Sequence, residues 1–162
     1  MENNNKSKKR KITISRTLNG AANAGTVEDE ITVRADMDNL YKVLAMIDNK
    51  LNEALCQPKV KYQIDTAVEE IFANIASYAY PNGPGDATVS IKINNDERMA
   101  QISISDSGSE YNPLEKPDPD LGMKIEDKQF GGFGIFMVKN SLDDIRYERK
   151  DDKNVLTIWK KI

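Results

Sequence analysis

Apolar residues recur along this chain in two rhythms, and each rhythm predicts a different kind of element. Ile64, Val68, Ile71, Ile75 and Tyr78 follow three- and four-residue steps, which predicts a helix with one buried stripe. Pro81 ends it, since proline cannot continue the hydrogen-bond ladder and biases its predecessor away from helix. Upstream, Leu40, Val43, Leu44, Ile47, Leu51, Ala54 and Leu55 form a second stripe of the same period. Asp36 and Asp38 offer its capping groups, and Gln57-Pro58 breaks it. The other rhythm has a period of two. Ile12, Ile14 and Leu18 alternate loosely with polar residues, as in a short edge strand, and Glu30 to Ala35 is a second candidate with Ile31 and Val33 on one face. Val89, Ile91 and Ile93 alternate cleanly, Asn94 to Arg98 closes a hairpin, and Ala100, Ile102 and Ile104 repeat the pattern. Asp143 to Lys150 and Val155 to Ile162 flank a turn at Asp151 to Asn154. The expected fold is an α/β (α+β) two-layer sandwich, with a mixed, mostly antiparallel sheet and the helices on one face.

Composition narrows the chemistry more than the fold. A chain of 162 residues allows one domain with a full core. With 39% hydrophobic and 30% charged residues it reads as a soluble globular protein, and no apolar run approaches the length of a bilayer span. No secretory segment is visible, so a cytoplasmic location is expected. Cys56 is the single cysteine, which excludes an internal disulfide and a cysteine-based zinc cluster. The complete lack of histidine excludes a Ser-His-Asp triad, a Cys-His pair, histidine metal ligands and a phospho-accepting histidine. The net charge of −3 is no nucleic-acid signature. Residues 1–11 are polar and basic, and read as a disordered, solubilising tail.

Three places carry candidate chemistry. On the helix before Pro81, Glu70, Asn74 and Ser77 line one flank of the buried stripe beside the small Ala67 and Ala73, while Asp65 and Glu69 should face solvent. A carboxylate and an amide one turn apart at the edge of a core suit a polar ligand with a hard cation, although such a pair is more often a solvated face. Asp106 continues the inward phase of Ala100, Ile102 and Ile104. A carboxylate there needs donors, from the turn Ser107-Gly108 or from a ligand; a carboxylate capping its own turn is an equally good reading of this position alone. Finally, a long proline-rich connection from Tyr111 leads to Gly131-Gly-Phe-Gly134 and the apolar run Ile135 to Val138. Long connections of this kind often act as lids. A glycine-rich helix start presents free backbone N–H groups suited to phosphate.

The order and separation of these three places resemble the GHKL-type (Bergerat-fold) ATPases, and within them the anti-sigma-factor serine/threonine kinases, the RsbW-like group. The resemblance spans roughly residues 30 to 162 and rests on the helix running into Ala79-Tyr80-Pro81, on Asp106-Ser-Gly-Ser-Glu-Tyr-Asn-Pro113, and on Gly131 to Val138. It implies ATP and Mg²⁺ as cofactors. Asn74 would bind Mg²⁺, Glu70 would be the base for the attacking hydroxyl, and Asp106 would accept from the adenine amino group. Gly108 would let the adenine approach, and Gly131, Gly132 and Gly134 would stand at the phosphate end of an ATP lid over about residues 113–131. Residues 12–162 would be one ATP-binding kinase domain. Tyr78 stands where many relatives have histidine, a packing difference because it falls on the apolar stripe, and Glu110-Tyr111 replaces a smaller pair. The implied function is an ATP-dependent serine/threonine protein kinase and anti-sigma regulatory factor that phosphorylates an antagonist protein in a partner-switching pathway. Its partners would be that antagonist, a sigma factor and a second copy of the chain, with neither nucleic acid nor membrane. The alternatives are a nucleotide-sensing, non-catalytic partner-switch module of the same fold, a histidine-kinase catalytic domain, and a purely structural domain.

Overall fold

The computed structural model describes residues 13–18, 26–119 and 133–162. The basic tail over residues 1–11 lies outside them. Six strands form one sheet: β1 (Thr13–Leu18), β2 (Thr26–Arg34), β3 (Asp86–Asn94), β4 (Met99–Asp106), β5 (Asp144–Lys150) and β6 (Lys153–Lys161). Their spatial order is β1-β2-β3-β4-β6-β5. Every pairing is antiparallel, so the sheet is not mixed. The reason is topological. β3–β4 and β5–β6 are hairpins, and the helical excursion from β2 returns to the end of the sheet it left. The one from β4 crosses to the opposite end and enters β5 parallel to β4 but two positions away. β2 reaches β3 through α1 (Leu40–Glu53) and α2 (Pro58–Asn74), and the chain leaving β4 passes α3 (Phe133–Ser141) before β5. β6 then inserts between β4 and β5.

The strands expose two chemically different faces. Val89, Ile91 and Ile93 of β3 and Ile102 and Ile104 of β4 are buried under the helices. Each such aliphatic side chain contributes about 1.5–3 kcal/mol of transfer free energy. The opposite face carries hydroxyls that pair across strands: Thr32 with Thr88 at 2.9 Å and Ser103 with Thr157 at 3.0 Å. Alternation along each strand thus decides which face meets the helices.

Three helical expectations need correction. α1 stops at Glu53, earlier than its stripe suggests. Leu55 follows with φ 55° and is 83% exposed, because the left-handed turn that ends the helix swings it off the core. Met46 and Lys50 take inward positions instead. Lys50 is buried because its ammonium meets Asp29 of β2 at 2.9 Å and Glu53 at 3.0 Å.

In α2, Ile64, Val68 and Ile71 are buried as expected, but Tyr78 is 69% exposed. Residues Ile75–Ala79 form a π-helical turn. Its wider i→i+5 spacing adds a residue to the turn, so Ala79 rather than Tyr78 falls in phase with the core.

Asp65 does not simply face solvent either. It is half-buried between α2 and α1, close to Asp48, while Lys61 pairs with Asp48 at 3.1 Å. Burial first, then the charge of Asp48 and a hydrogen bond shared with it, raise the Asp65 carboxyl to about 6. In the unfolded chain this carboxyl ionises at about 3.9. Between these values the native state holds a proton that the unfolded state has lost, so stability falls as pH rises through that window. Asp65→Asn removes the effect. Discounted for solvent screening of a half-exposed group, the gain is on the order of 1 kcal/mol. We expect the Asn variant to melt about 2–4 °C higher than wild type near neutral pH, with the difference vanishing towards acid pH. Thermal melts across pH check this, and an equal difference at every pH would contradict it.

Candidate functional site

The π-helical turn places the end of α2 directly on the end of β4. Ser109 N–H donates to Ala79 O at 2.9 Å. The contact is so close that a Cβ on Gly108 would lie 2.3 Å from Ala79 O. Only glycine lets the two backbones meet there, a stronger reason for Gly108 than any turn preference. Tyr80 supports the same junction. Its hydroxyl donates to Asp86 O at 2.6 Å and accepts from Ser107 N–H at 2.9 Å. Burial pushes the phenol above its ordinary value, so it stays protonated and able to donate. The ring packs over Gly85, where a Cβ would lie 2.0 Å from the ring edge.

Asp106 closes β4 and is 6% exposed, in the phase predicted for it. Its Oδ1 accepts from Gly108 N–H at 2.8 Å and from the Asn154 side-chain amide at 2.9 Å. Among the described residues no donor reaches Oδ2. The carboxylate is therefore both a cap of its own turn and an acceptor left facing a cleft. That cleft is narrow, with a cavity volume of about 50 Å³. Ile75, Ala79, Ile104, Pro113 and Leu156 give it apolar walls, with Asp106 at one side. An apolar cleft edged by a buried carboxylate suits an apolar ligand group that brings a hydrogen-bond donor.

Asn74, Tyr111 and Ile135 line this cleft and also a second, more polar one. The two are parts of one groove. The second part adds Glu70, Lys116, Phe133 and Gly134. Here the Glu70 carboxylate lies against the first turn of α3, where a Cβ on Gly134 would come 1.9 Å from Oε2. Lys116 stands 5.6 Å from the centroid of the Tyr111 ring. One end of the groove is thus apolar with a single acceptor, and the other gathers an acid, an amide, a cation and a helix start. Among the described residues no cluster of three or more acidic or cysteine side chains could hold a metal alone. A metal at this end would depend on Asn74 and on oxygens of the ligand itself.

Of the residues singled out in the sequence, the structure brings Glu70, Asn74 and Gly134 together at the polar end and places Asp106 at the apolar end. Gly108, expected to make room for a base, instead lies behind Asp106, its α-carbon against the Ala79 backbone. Gly131 and Gly132 lie outside the described residues, as does most of the connection expected to be a lid. Its first part is a 3-10 turn at Pro113–Glu115, capped by the Asn112 side chain at 3.0 Å from Leu114 N, and Lys139 of α3 pairs with Asp118 at 3.0 Å. Sequence reasoning missed Tyr80, Lys116 and Asn154. For Asn154 a signal existed: it stands two residues before Leu156 and four before Ile158, in their inward phase. Treating it as part of a turn hid that phase.

Comparison with known proteins shows which family the chain resembles. The chain is 25% identical over 135 residues to the serine/threonine-protein kinase BtrW of Bordetella bronchiseptica (strain ATCC BAA-588 / NCTC 13252 / RB50). The match covers 82% of this chain and 90% of that protein. No helix among the described residues is long and apolar enough to cross a membrane. Residues 33–160, which include the whole of the groove just described, match the histidine kinase-like ATPase domain, and the chain belongs to that family.

Proposed function

We propose that this ATP-binding, kinase-like domain is a serine/threonine protein kinase of the partner-switching type. It would phosphorylate a serine or threonine of an antagonist protein and alternately hold a sigma factor. The observation that carries this reading is the place of Glu70. Its carboxylate lies at the polar end of the groove, in the same cleft as Asn74 and against the start of α3. A domain that only held nucleotide would need donors and cations there, not a second acid facing the phosphates. The name of the Bordetella relative points the same way.

Adenine would enter the apolar end with its amino group on Asp106. Gly108 would serve the site from behind, by letting the Ala79 backbone close on the end of β4 and by donating its N–H to Asp106. The phosphates would then lie towards Asn74, Lys116 and the start of α3, with Gly131, Gly132 and Gly134 contributing backbone N–H groups. Asn74, an oxygen donor beside the phosphates, fits a Mg²⁺ that keeps few protein ligands. When bound, that ion would neutralise charge developing on the phosphates. Glu70 would orient the acceptor hydroxyl and take its proton as the oxygen bonds to the γ-phosphorus and ADP departs. The protein's share is positioning and electrostatics, as in phosphoryl transfer generally.

The direct test incubates the chain with ATP, Mg²⁺ and a candidate antagonist and weighs the antagonist by mass spectrometry. A gain of one phosphate supports the kinase. Nucleotide-dependent complex formation without that gain would make the chain a partner-switching module and overturn the catalytic reading.

Gly134→Ala gives a second test. Alanine is the better helix former by up to about 1 kcal/mol, so the melting temperature should hold or rise. Its methyl, however, would occupy the place of the Glu70 carboxylate. Transfer should fall at least about tenfold in a single-turnover assay. Full transfer by this variant would show that the carboxylate is not needed where it lies.

A further inference from the structure

Asn154 is the most heavily bonded side chain near the groove, and none of the roles assigned above uses it. It opens the inward row of β6, level with Asp106 of β4. Its amide nitrogen donates to Asp106 Oδ1 at 2.9 Å and to Ser109 O at 2.9 Å. Its amide oxygen accepts from the Tyr147 hydroxyl at 2.8 Å, from Arg149 at 2.9 Å and from Tyr111 N–H at 3.3 Å. Three donors on one side and two acceptors on the other allow only one orientation of the amide. Flipped, its NH₂ would face the guanidinium and two further donors. Tyr147 and Arg149 on β5 and the backbone of Tyr111 therefore compel Asn154 to present N–H, not C=O, to Asp106.

This has a consequence for the carboxylate. Oδ1 is satisfied by Gly108 N–H and by Asn154, so Oδ2 is left as the oxygen to meet a ligand, with its direction set from behind. We propose that Asn154 is the positioning residue for base selection: by donating to Oδ1 it keeps Asp106 a one-oxygen acceptor aimed at the cleft, so that an amino-bearing purine is bound and an oxo-bearing purine is refused. The proposal rests on the reading of Asp106 as the acceptor for the base. It also ties base selection to Tyr111, at the start of the connection that follows β4. Tyr111 lines both parts of the groove and donates its N–H to the same Asn154 oxygen.

The readout is the ratio of affinities for ATP and inosine triphosphate, whose base carries an oxo group where adenine carries its amino group. The informative pair is Asn154→Thr against Asn154→Val. Both remove the amide oxygen, both are β-branched and nearly equal in volume, and only threonine retains a donor for Asp106. Structural damage common to both cancels in the comparison. We expect the ATP preference of the threonine variant to stay near wild type and that of the valine variant to fall about tenfold. Asn154→Asp is the companion, because its carboxylate still satisfies Tyr147, Arg149 and Tyr111. It should lose the preference as pH rises and the proton shared with Asp106 is released. Equal ratios in the threonine and valine variants would overturn the proposal. If that pair is too unstable to titrate, a wild-type ratio at every pH in Asn154→Asp would do so. Asp106→Asn, run in the same series, separates the two levels. If it alters the ratio while the Asn154 variants do not, the role of Asn154 falls and the base reading stands. If it leaves the ratio unchanged, the base reading falls and takes this proposal with it.

Discussion

Glu70→Gln is expected to slow phosphoryl transfer by about 10²–10⁴-fold while ATP binds almost as before. Glutamine has nearly the volume of glutamate and keeps a carbonyl oxygen, so the close contact with Gly134 and the shape of the polar cleft persist. The apolar end, where the base would be held, is lined by other residues. What the amide cannot do is take a proton. It can still accept a hydrogen bond from the attacking hydroxyl, so any positioning by Glu70 survives in part. The size of the loss therefore measures proton transfer separately from orientation, which matters because phosphoryl transfer depends largely on positioning and charge. Single-turnover phosphorylation of the antagonist, beside calorimetric titration with ATP and Mg²⁺, gives both numbers. Wild-type transfer by the variant would remove Glu70 from the chemistry. Loss of ATP binding would instead make it part of the nucleotide site.

The legible parts of this fold are those in which one local rule decides the outcome. Strand alternation places Ile102, Ile104 and then Asp106 on the same face, and the structure buries all three, because a pleated strand offers no other option. Helix phase is less secure at helix ends, where backbone geometry departs from the regular period. Tyr78 moves off the stripe through a π-helical turn, and Leu55 through a left-handed residue after α1. Nothing in the apolar pattern announces either change. Asp65 shows a different limit. Its flank of the helix is correctly polar, but the neighbour it meets there, Asp48, belongs to another element. The site divides in the same way. Asp106 is visible as a polar residue in an apolar phase, and Glu70 and Asn74 as a carboxylate and an amide one turn apart on the flank of the buried stripe. Lys116 and Tyr80 have no such contrast, and only the closure of the groove gives them partners. Gly134 was legible as glycine at a helix start, but its reason, the Glu70 carboxylate at its α-carbon, is tertiary.

Asp106→Asn carries the other large effect, on binding instead of chemistry. Oδ1 of Asp106 already receives Gly108 N–H and the Asn154 amide. In the variant those two donors hold the new carbonyl oxygen on their side, and the NH₂ takes the place of Oδ2. The cleft would then present a donor to the amino group of adenine, itself a donor. A hydrogen bond to a charged acceptor is lost, at about 1.5–3 kcal/mol, and a buried donor is left unsatisfied, at about 1–3 kcal/mol. Together these predict ATP affinity lower by about 10²-fold or more. The fold should tolerate the change, because the replacement is nearly isosteric and both inner hydrogen bonds persist, so the melting temperature without nucleotide should move little. The same reversal predicts a gain elsewhere. An oxo group facing the new NH₂ can accept from it, so inosine triphosphate should lose far less than ATP, or bind better than it does to wild type. Titration of both nucleotides into both proteins decides the matter. Parallel losses would mean that the substitution damages the groove without touching base recognition, and unchanged ATP affinity would place the base somewhere other than against Asp106.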